Sequence, residues 1–171
     1  MKFLGALLLA ATSVTALSGK ATTTRYYDGL KGACGCGTGN TAFGWQCTNR
    51  CGNGLYTAAA STSLFGSATW CGSGCGTCFK LTSTGSAPSG QGTGGAAGSS
   101  ITVMVTNLCP YNGNEKWCPQ SGNNDYGYAY HFDIMAQSQV LGDNPIVDFE
   151  QVSCPSTLSS DYQQCQCATG G

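Results

Sequence analysis

Two aspartates with aromatic neighbours, Asp28 and Asp133, are the side chains best suited to acid and base chemistry. The chain holds only eight Asp and Glu residues, and hydrolysis of a glycosidic bond needs two carboxyl groups that face each other across it. Asp28 follows Tyr26 by two positions, and Asp133 follows His131, the only histidine, by the same spacing. Residues two apart share a face of a strand, so each aspartate is predicted to have a ring beside it.

Both aspartates also have purely structural interpretations. Asp28 precedes Gly29, and Asp commonly closes such a turn with its own carboxylate. His131 and Asp133 could form a satisfied polar pair at the edge of a sheet. The spacing alone leaves these interpretations open.

The other acidic residues offer one further candidate, Asp125, which stands just before an aromatic stretch. Asp148 and Glu150 alternate along a predicted strand, as expected for a solvated edge. Three more lie in hydrophilic, turn-like sequence: Glu115, Asp143 and Asp161. A Ser-His-Asp hydrolase is disfavoured, because there is no G-x-S-x-G elbow and the single histidine lies only two residues from the acid.

The stretch 126–134 is interpreted as the strand that positions Asp133. At strand spacing its two faces are unlike. One is a row of large side chains: Tyr126, Tyr128, Tyr130, Phe132 and Ile134. The other is small apart from the polar pair: Gly127, Ala129, His131 and Asp133. The small face is therefore the predicted site, and the aromatic row either anchors the strand in the core or lines a groove.

Further strands are predicted wherever β-branched and apolar residues alternate. These segments are 22–28, 78–82 with Phe79 and Leu81 inward, 101–107 and 146–154. Residues 56–65 are expected to begin as a strand and end as a short helix capped by Ser61. Residues 83–100 are almost wholly Ser, Gly, Thr, Ala and Pro, and they predict a surface loop. Phe43 and Trp45 are expected either to plug the core or to contact a ligand.

Twelve cysteines indicate a protein made for an oxidising compartment, with up to six disulfides. Their positions are 34, 36, 47, 51, 71, 75, 78, 109, 118, 154, 165 and 167. Spacing does not give the pairing. The close set Cys71, Cys75 and Cys78 could suggest zinc, but disulfides are favoured outside the cell. We expect Cys165 and Cys167 to staple the tail to the body.

Residues 1–16 read as a secretory signal peptide, with Lys2, an apolar run and a small-residue cleavage site. We expect residues 17–171 to form a single catalytic domain, monomeric and extracellular, without a carbohydrate-binding module. Removing Lys2 with the leader leaves six basic side chains against eight acidic ones. There is no basic surface for nucleic acid, and no later apolar run is long enough for a membrane helix.

Four motifs give the chain a family resemblance. They are Thr-Thr-Arg-Tyr-Tyr-Asp at 23–28, Trp-Cys at 70–71 with Cys-Gly-Thr-Cys-Phe-Lys-Leu-Thr at 75–82, Val-Thr-Asn-Leu-Cys-Pro at 105–110 and Tyr-His-Phe-Asp-Ile at 130–134. Together they resemble glycoside hydrolase family 45, small secreted endoglucanases. The resemblance implies a six-stranded double-psi β-barrel crossed by a substrate groove. It also implies hydrolysis of β-1,4-glucan with inversion, without metal or organic cofactor.

The resemblance further implies roles for individual residues. Asp28 matches the general base and Asp133 the general acid. The remaining matches are to substrate-binding or assisting residues: Tyr26, Lys31, Trp70, Asp125 and His131. Asp125 fits the family's assisting aspartate only with a shift of one residue. Gly29 and Leu30 stand where many relatives have two cysteines, so part of that family's disulfide pattern must be absent or rerouted here.

Two other classes of protein share some of these features. Expansin-like proteins, which loosen glucan without cutting it, keep the His-Phe-Asp motif but lack the base, so Asp28 favours hydrolysis. A cysteine-rich structural protein would explain the disulfides but leave the two carboxylates as coincidence. Which β-glucan is preferred stays open.

Overall fold

The computed structural model describes residues 16–46 and 54–169. The predicted leader lies almost wholly outside them, as do Cys47 and Cys51. The strands are β1 Ser18–Tyr26, β2 Gly37–Thr38, β3 Thr41–Ala42, β4 Leu55–Ala60, β5 Cys78–Ser83, β6 Ser100–Leu108, β7 His131–Met135 and β8 Val147–Val152. The helices are α1 Thr62–Phe65, α2 Ser156–Tyr162 and a 3-10 turn, η1 Gln166–Ala168. None of these described helices has the length and apolarity that crossing a membrane requires.

Six strands close into a barrel in the order β1-β7-β4-β6-β5-β8, while β2 and β3 form a separate small hairpin. The pairs β1/β7 and β4/β6 are parallel, and the other four are antiparallel. Closure leaves no barrel strand with an unpaired edge. The six-stranded barrel implied by the family resemblance is thus confirmed.

Alternation along the strands fills the barrel with aromatic and branched side chains. Phe79, Phe132 and Phe149 touch one another, with ring centroids 5.3 to 5.8 Å apart. Burying each such ring stabilises the fold by roughly 1.5–3 kcal/mol. The inward positions of Phe79 and Leu81 are confirmed. Phe43 and Trp45 are partly buried and pack against the core.

The prediction of an extended strand over 126–134 is wrong for its first half. β7 begins only at His131. Asn124 breaks the strand, because its side-chain Oδ1 accepts hydrogen bonds from the backbone N–H groups of Tyr126 and Tyr128, both 3.1 Å. Gly127 adopts a left-handed φ of 85°. Local side-chain bonds of this kind compete with sheet pairing, so this segment is a turn.

Three smaller differences concern strand and helix ends. β1 stops at Tyr26, so Asp28 lies in the following turn rather than on the strand. β7 is a central strand, flanked by β1 and β4, and not an edge. The predicted strand and short helix over 56–65 are present as β4 and α1, but Ser61 does not cap the helix with its side chain. Its hydroxyl instead accepts a hydrogen bond from the backbone N–H of His131 at 3.1 Å.

Five disulfides join the described cysteines, as the cysteine count predicted. They are Cys34–Cys75, Cys36–Cys165, Cys71–Cys167, Cys78–Cys154 and Cys109–Cys118. The three closely spaced cysteines each pair with a distant partner rather than with one another. The tail is stapled to the body through two of these bonds, as expected. The predicted surface loop is also present, as irregular chain between β5 and β6.

Two disulfides with similar burial but different spans give a test of how the crosslinks stabilise the fold. Cys36–Cys165 spans 129 residues of sequence and Cys109–Cys118 only 9. Chain-entropy arguments give about 5 kcal/mol for the long loop and about 3 kcal/mol for the short one. We expect Cys36→Ala with Cys165→Ala to lower the free energy of unfolding more than Cys109→Ala with Cys118→Ala. Urea unfolding of both double variants checks the order, and a larger loss from the short loop would contradict it.

Candidate active site

The parallel pairing of β1 with β7 brings the chemical residues together. In this register Thr22 stands opposite His131, and Thr24 opposite Asp133. Because side chains alternate between faces, these four lie on one side of the sheet. Phe132, between them, points into the core.

A continuous line of hydrogen bonds runs along that face. The Asn124 amide Nδ2 donates to Thr22 Oγ1 at 2.8 Å. Thr22 Oγ1 lies 2.8 Å from His131 Nδ1, and His131 Nε2 lies 2.9 Å from Thr24 Oγ1. Thr24 Oγ1 donates to Asp133 Oδ1 at 2.7 Å. His131 and Asp133 are therefore not a direct pair, since Thr24 bridges them.

His131 is fully buried beneath the loop that follows β6. The Trp117 ring lies over the imidazole with centroids 5.6 Å apart. Burial lowers the pKa of His131 to about 3, so the ring stays neutral under mild conditions. Cys109 and Cys118 bring their sulfurs close to the imidazole. Both sulfurs form a disulfide, so they offer no thiolate with which His131 could bind a metal.

Asp133 sits in surroundings that favour its protonated form. Burial is the largest cause and raises the pKa of this carboxyl to about 6. The bond from Thr24 and the charge of Arg25 act in the opposite direction, while the charge of Asp28 adds to the rise. A carboxyl that keeps its proton to about pH 6 is suited to general acid catalysis.

Asp28 is exposed, in contrast with Asp133. Its Oδ1 accepts a hydrogen bond from the backbone N–H of Leu30 at 2.9 Å, across Gly29 in a left-handed conformation. The turn-capping interpretation of Asp28 is therefore correct. It does not compete with a role as base, because the cap uses one carboxylate oxygen and the residue remains open to water.

Asn107, at the end of β6, holds the segment that follows Asp28. Its Oδ1 accepts from the backbone N–H of Ala33 at 2.7 Å, and its Nδ2 donates to the Tyr26 hydroxyl at 3.3 Å. Gly32 permits this approach, since a Cβ there would lie 2.7 Å from the Asn107 side chain. Only glycine fits so close a contact. Asn107 thereby fixes Tyr26 and the segment after Asp28 to the same strand end.

Tyr26 lies in the electrostatic field of both aspartates. Burial raises the pKa of its hydroxyl well above the ordinary value, and the charges of Asp133 and Asp28 raise it further. The bond from Asn107 opposes this rise. Tyr26 is thus a neutral hydrogen-bonding group placed near both carboxyls.

Trp70 and Lys31 form a second feature, with Lys31 three residues after Asp28. Trp70 is 45% exposed, large for a tryptophan. The Lys31 ammonium lies 6.0 Å from the centre of its ring and donates to Gln166 Oε1 at 3.4 Å. An exposed indole held by a neighbouring cation is a flat surface on which an apolar sugar face can stack.

Asp125 is not drawn into the line of hydrogen bonds. Its side chain is exposed and bonds to none of the described residues, whereas its neighbour Asn124 is buried and begins the line. Sequence reasoning therefore missed the residues that link the site together: Thr22, Thr24, Asn124, Asn107 and Trp117. Thr22, Thr24 and Tyr26 alternate along β1, so strand spacing could have placed them on one face. The two asparagines lie in a turn and at a strand end, where spacing does not predict which residues they contact.

A cavity of about 410 Å³ opens near Asp133, between β1 and residues 139–145. Thr24 and Trp117 line it, while neither Asp28 nor Asp133 does. Residues of β1 on the other face hold its wall: Thr23 Oγ1 donates to the Pro145 carbonyl at 2.6 Å. The cavity is thus linked to Asp133 through Thr24.

Comparison with known proteins gives a consistent set of relatives. A family profile described as EXPB1-like domain 1 matches residues 21–169. Endoglucanase-5 of Hypocrea jecorina is 60% identical over 168 residues, which are 96% of this chain and 67% of that protein. An endoglucanase of Mytilus edulis is 44% identical, covering 86% of this chain and 90% of that protein.

Structure comparison agrees with the sequence relatives. The solved structure of a GH45 endoglucanase in complex with cellobiose has a TM-score of 0.75 and 41% identity, covering 88% of this chain and 89% of that one. Expansin-A32 of Oryza sativa is 37% identical over 113 residues, but these are only 64% of this chain and 36% of the expansin. The endoglucanases therefore match this chain over more of its length and at higher identity.

The raised pKa of Asp133 predicts a stability change that needs no activity assay. The folded state holds this proton more tightly than the unfolded chain does, so ionising Asp133 costs stability as the pH rises from about 4 to about 6. Asp133→Asn removes that cost. We expect the unfolding free energy of the variant relative to wild type to increase by up to about 3 kcal/mol between pH 4 and pH 8.

Urea unfolding across this pH range measures the difference. Asp148→Asn is the matched control, because Asp148 is exposed on β8 and pairs with Lys20 at the surface. The difference in unfolding free energy between Asp148→Asn and wild type should change little over the same pH range. If the difference in unfolding free energy between Asp133→Asn and wild type does not change with pH, the fold does not raise the pKa of Asp133.

Proposed function

Since the chain belongs to glycoside hydrolase family 45 and is an endoglucanase, we propose that it cuts internal β-1,4 bonds of cellulose or a related β-glucan with inversion. In this proposal Asp133 is the general acid and Asp28 the general base. The single observation that carries it is the contrast between their settings. One carboxyl is largely buried with a raised pKa, and the other is exposed and fixed by a turn.

The contrast supports a proton on Asp133 at the start of the reaction. Below about pH 6 Asp133 is protonated, and it donates to the glycosidic oxygen as the bond to the anomeric carbon breaks. Asp28 takes a proton from a water molecule, whose oxygen attacks the same carbon from the opposite face. An inverting pair needs about 6.5–9.5 Å between the carboxyls to admit that water.

The groups around the carboxyls suit a long polymer chain. Tyr26 lies near both aspartates, and Trp70 with Lys31 extends the site on the base side. Trp70 is a candidate stacking surface for a glucose ring, and Tyr26 a hydrogen-bonding contact near the bond that breaks. The relative solved with cellobiose supports a β-glucan as the substrate.

We further propose that the enzyme acts outside the cell. Its described cysteines are joined in disulfides, which persist in oxidising compartments. The leader-like sequence at residues 1–16 supports the same location.

A wall-loosening activity without hydrolysis is the alternative, and the expansin relative is the observation that favours it. Asp28 separates the two proposals. Release of reducing sugar from a soluble cellulose derivative, abolished by Asp28→Asn, supports hydrolysis. Weakening of cellulose fibres without release of sugar supports the alternative.

Replacement of either carboxyl by its amide tests the assignment. We expect Asp28→Asn and Asp133→Asn each to lower kcat by about 10² to 10⁴-fold, because an amide neither gives nor takes the proton. Asp125→Asn should cost much less, since its side chain is exposed and contacts neither carboxyl. Asp148→Asn, distant on β8, is the control for loss of a carboxylate. Wild-type rates in a folded Asp28 or Asp133 variant would remove that residue from the mechanism.

Stereochemistry tests how the two carboxyls are used. With water activated by Asp28, one displacement converts a β-linked substrate into an α product. A retaining enzyme would pass through a glycosyl-enzyme and would need its carboxyls only about 5–5.5 Å apart. Proton NMR of cello-oligosaccharide hydrolysis, recorded before the anomers equilibrate, reads the product directly. Initial appearance of the β-anomer would be incompatible with Asp28 as a base.

A further inference from the structure

The line of hydrogen bonds from Asn124 to Asp133 has a direction, and the direction follows from which groups can donate. At one end the orientation of the Asn124 amide is fixed, because its oxygen accepts from the backbone N–H groups of Tyr126 and Tyr128. Its Nδ2 therefore faces Thr22 Oγ1 and is the donor in that contact. Thr22 enters the line as an acceptor.

Among the described residues the hydroxyl hydrogen of Thr22 then has one acceptor within reach, which is His131 Nδ1 at 2.8 Å. A neutral imidazole carries a single N–H, so an accepting Nδ1 places that hydrogen on Nε2. Nε2 faces Thr24 Oγ1 at 2.9 Å and donates to it. The hydroxyl of Thr24 is then free to donate to Asp133 Oδ1. Each hydrogen in the line has an acceptor.

The reverse direction leaves one group unsatisfied. If Asp133 were protonated on Oδ1, it would donate to Thr24, Thr24 to Nε2, and His131 would donate from Nδ1 to Thr22. Thr22 would then receive hydrogens from both neighbours, and its own hydroxyl hydrogen would have no acceptor among the described residues. Thr22 is fully buried, and an unmade hydrogen bond there is costly.

We propose that Asn124, acting through Thr22 and a neutral His131, commits the Thr24 hydroxyl to Asp133 Oδ1 and so confines the acidic proton to Oδ2. Oδ2 has no hydrogen-bond partner among the described residues, and it is the oxygen free to protonate a leaving group. Thr24 is a positioning residue for the acid. This inference rests on the proposed role of Asp133, but the orientation of His131 is measurable without any catalysis.

The pKa of Asp133 depends on the groups that face its carboxyl. From β1 these are the Thr24 hydroxyl, the Arg25 guanidinium and the Tyr26 hydroxyl, and beyond β1 the Asp28 carboxylate. On β7 the neighbour is His131, which burial keeps neutral. Of these, only Thr24 donates a hydrogen bond to Asp133 within the described residues. Loss of its hydroxyl should therefore raise the pKa of Asp133, because the bond favours the ionised form.

The tautomer of His131 is the first test. His131 is the only histidine of the chain, so a long-range proton–nitrogen NMR spectrum of the ¹⁵N-labelled protein shows its ring without assignment. We expect a neutral ring with hydrogen on Nε2 from pH 5 to pH 8. Hydrogen on Nδ1, or an imidazolium at pH 5, would overturn the proposal. Neither outcome depends on whether Asp133 is catalytic.

Kinetics of Thr24 variants are the second test. Thr24→Val keeps the shape and removes the hydroxyl. We expect kcat to fall by about 10- to 100-fold with KM nearly unchanged, and the alkaline limb of the pH profile to rise by about one pH unit. Thr24→Ser restores the hydroxyl and should restore both. If Thr24 were purely structural, Thr24→Val would lower the melting temperature but leave the alkaline limb of the pH profile unchanged. That result would overturn the proposal.

Thr22→Val extends the test to a residue that does not touch Asp133. Removing this hydroxyl takes away the donor to His131 Nδ1, so the preference for the Nε2 tautomer should weaken in the NMR spectrum. The kcat should fall with it, and Thr22→Ser should recover both. An unchanged tautomer in Thr22→Val would show that the direction is not set from the Asn124 end. If Asp133→Asn kept full activity while the tautomers behaved as expected, the proposed function alone would fail.

Discussion

The parallel pairing of β1 with β7 is the constraint on which the site depends. A single register sets Thr22 against His131 and Thr24 against Asp133. The same register places Phe132 in the core, where it meets Phe79 and Phe149. Because the period of a strand is two, the hydrophobic core and the polar line are set by the same alternation. Burial of the aromatic face of β7 thus also fixes the position of Asp133.

The loop between β6 and β7 completes the arrangement by covering the polar face. The Cys109–Cys118 disulfide ties down its first part, and Trp117 lies on the imidazole. Asn124 then enters from the end of the loop. Without this cover His131 would meet water and would titrate near its ordinary pKa. A crosslinked loop therefore controls the charge of a residue that belongs to the barrel.

Much of this architecture could be predicted from the sequence, and the failures have local causes. Alternation identified β5, β6 and β8, and motif resemblance identified Asp28 and Asp133 as the candidates. The strand was extended too far into 126–130 because aromatic alternation there imitates a strand, whereas the Asn124 side chain ties the backbone into a turn. Side-chain amides such as those of Asn124 and Asn107 act through contacts distant in sequence. No period or short spacing reveals such contacts in a single chain.

The two faces of β1 make different contacts. Thr22, Thr24 and Tyr26 lie on the side of His131 and Asp133. The Thr23 hydroxyl and the Arg25 guanidinium donate to the carbonyls of Pro145 and Gln137. β1 thus connects the residues around Asp133 to the wall of the neighbouring cavity. A single inserted residue in β1 would exchange its two faces and so disrupt both sets of contacts at once. The length of β1 is therefore constrained twice, once by the polar line and once by the wall of the cavity.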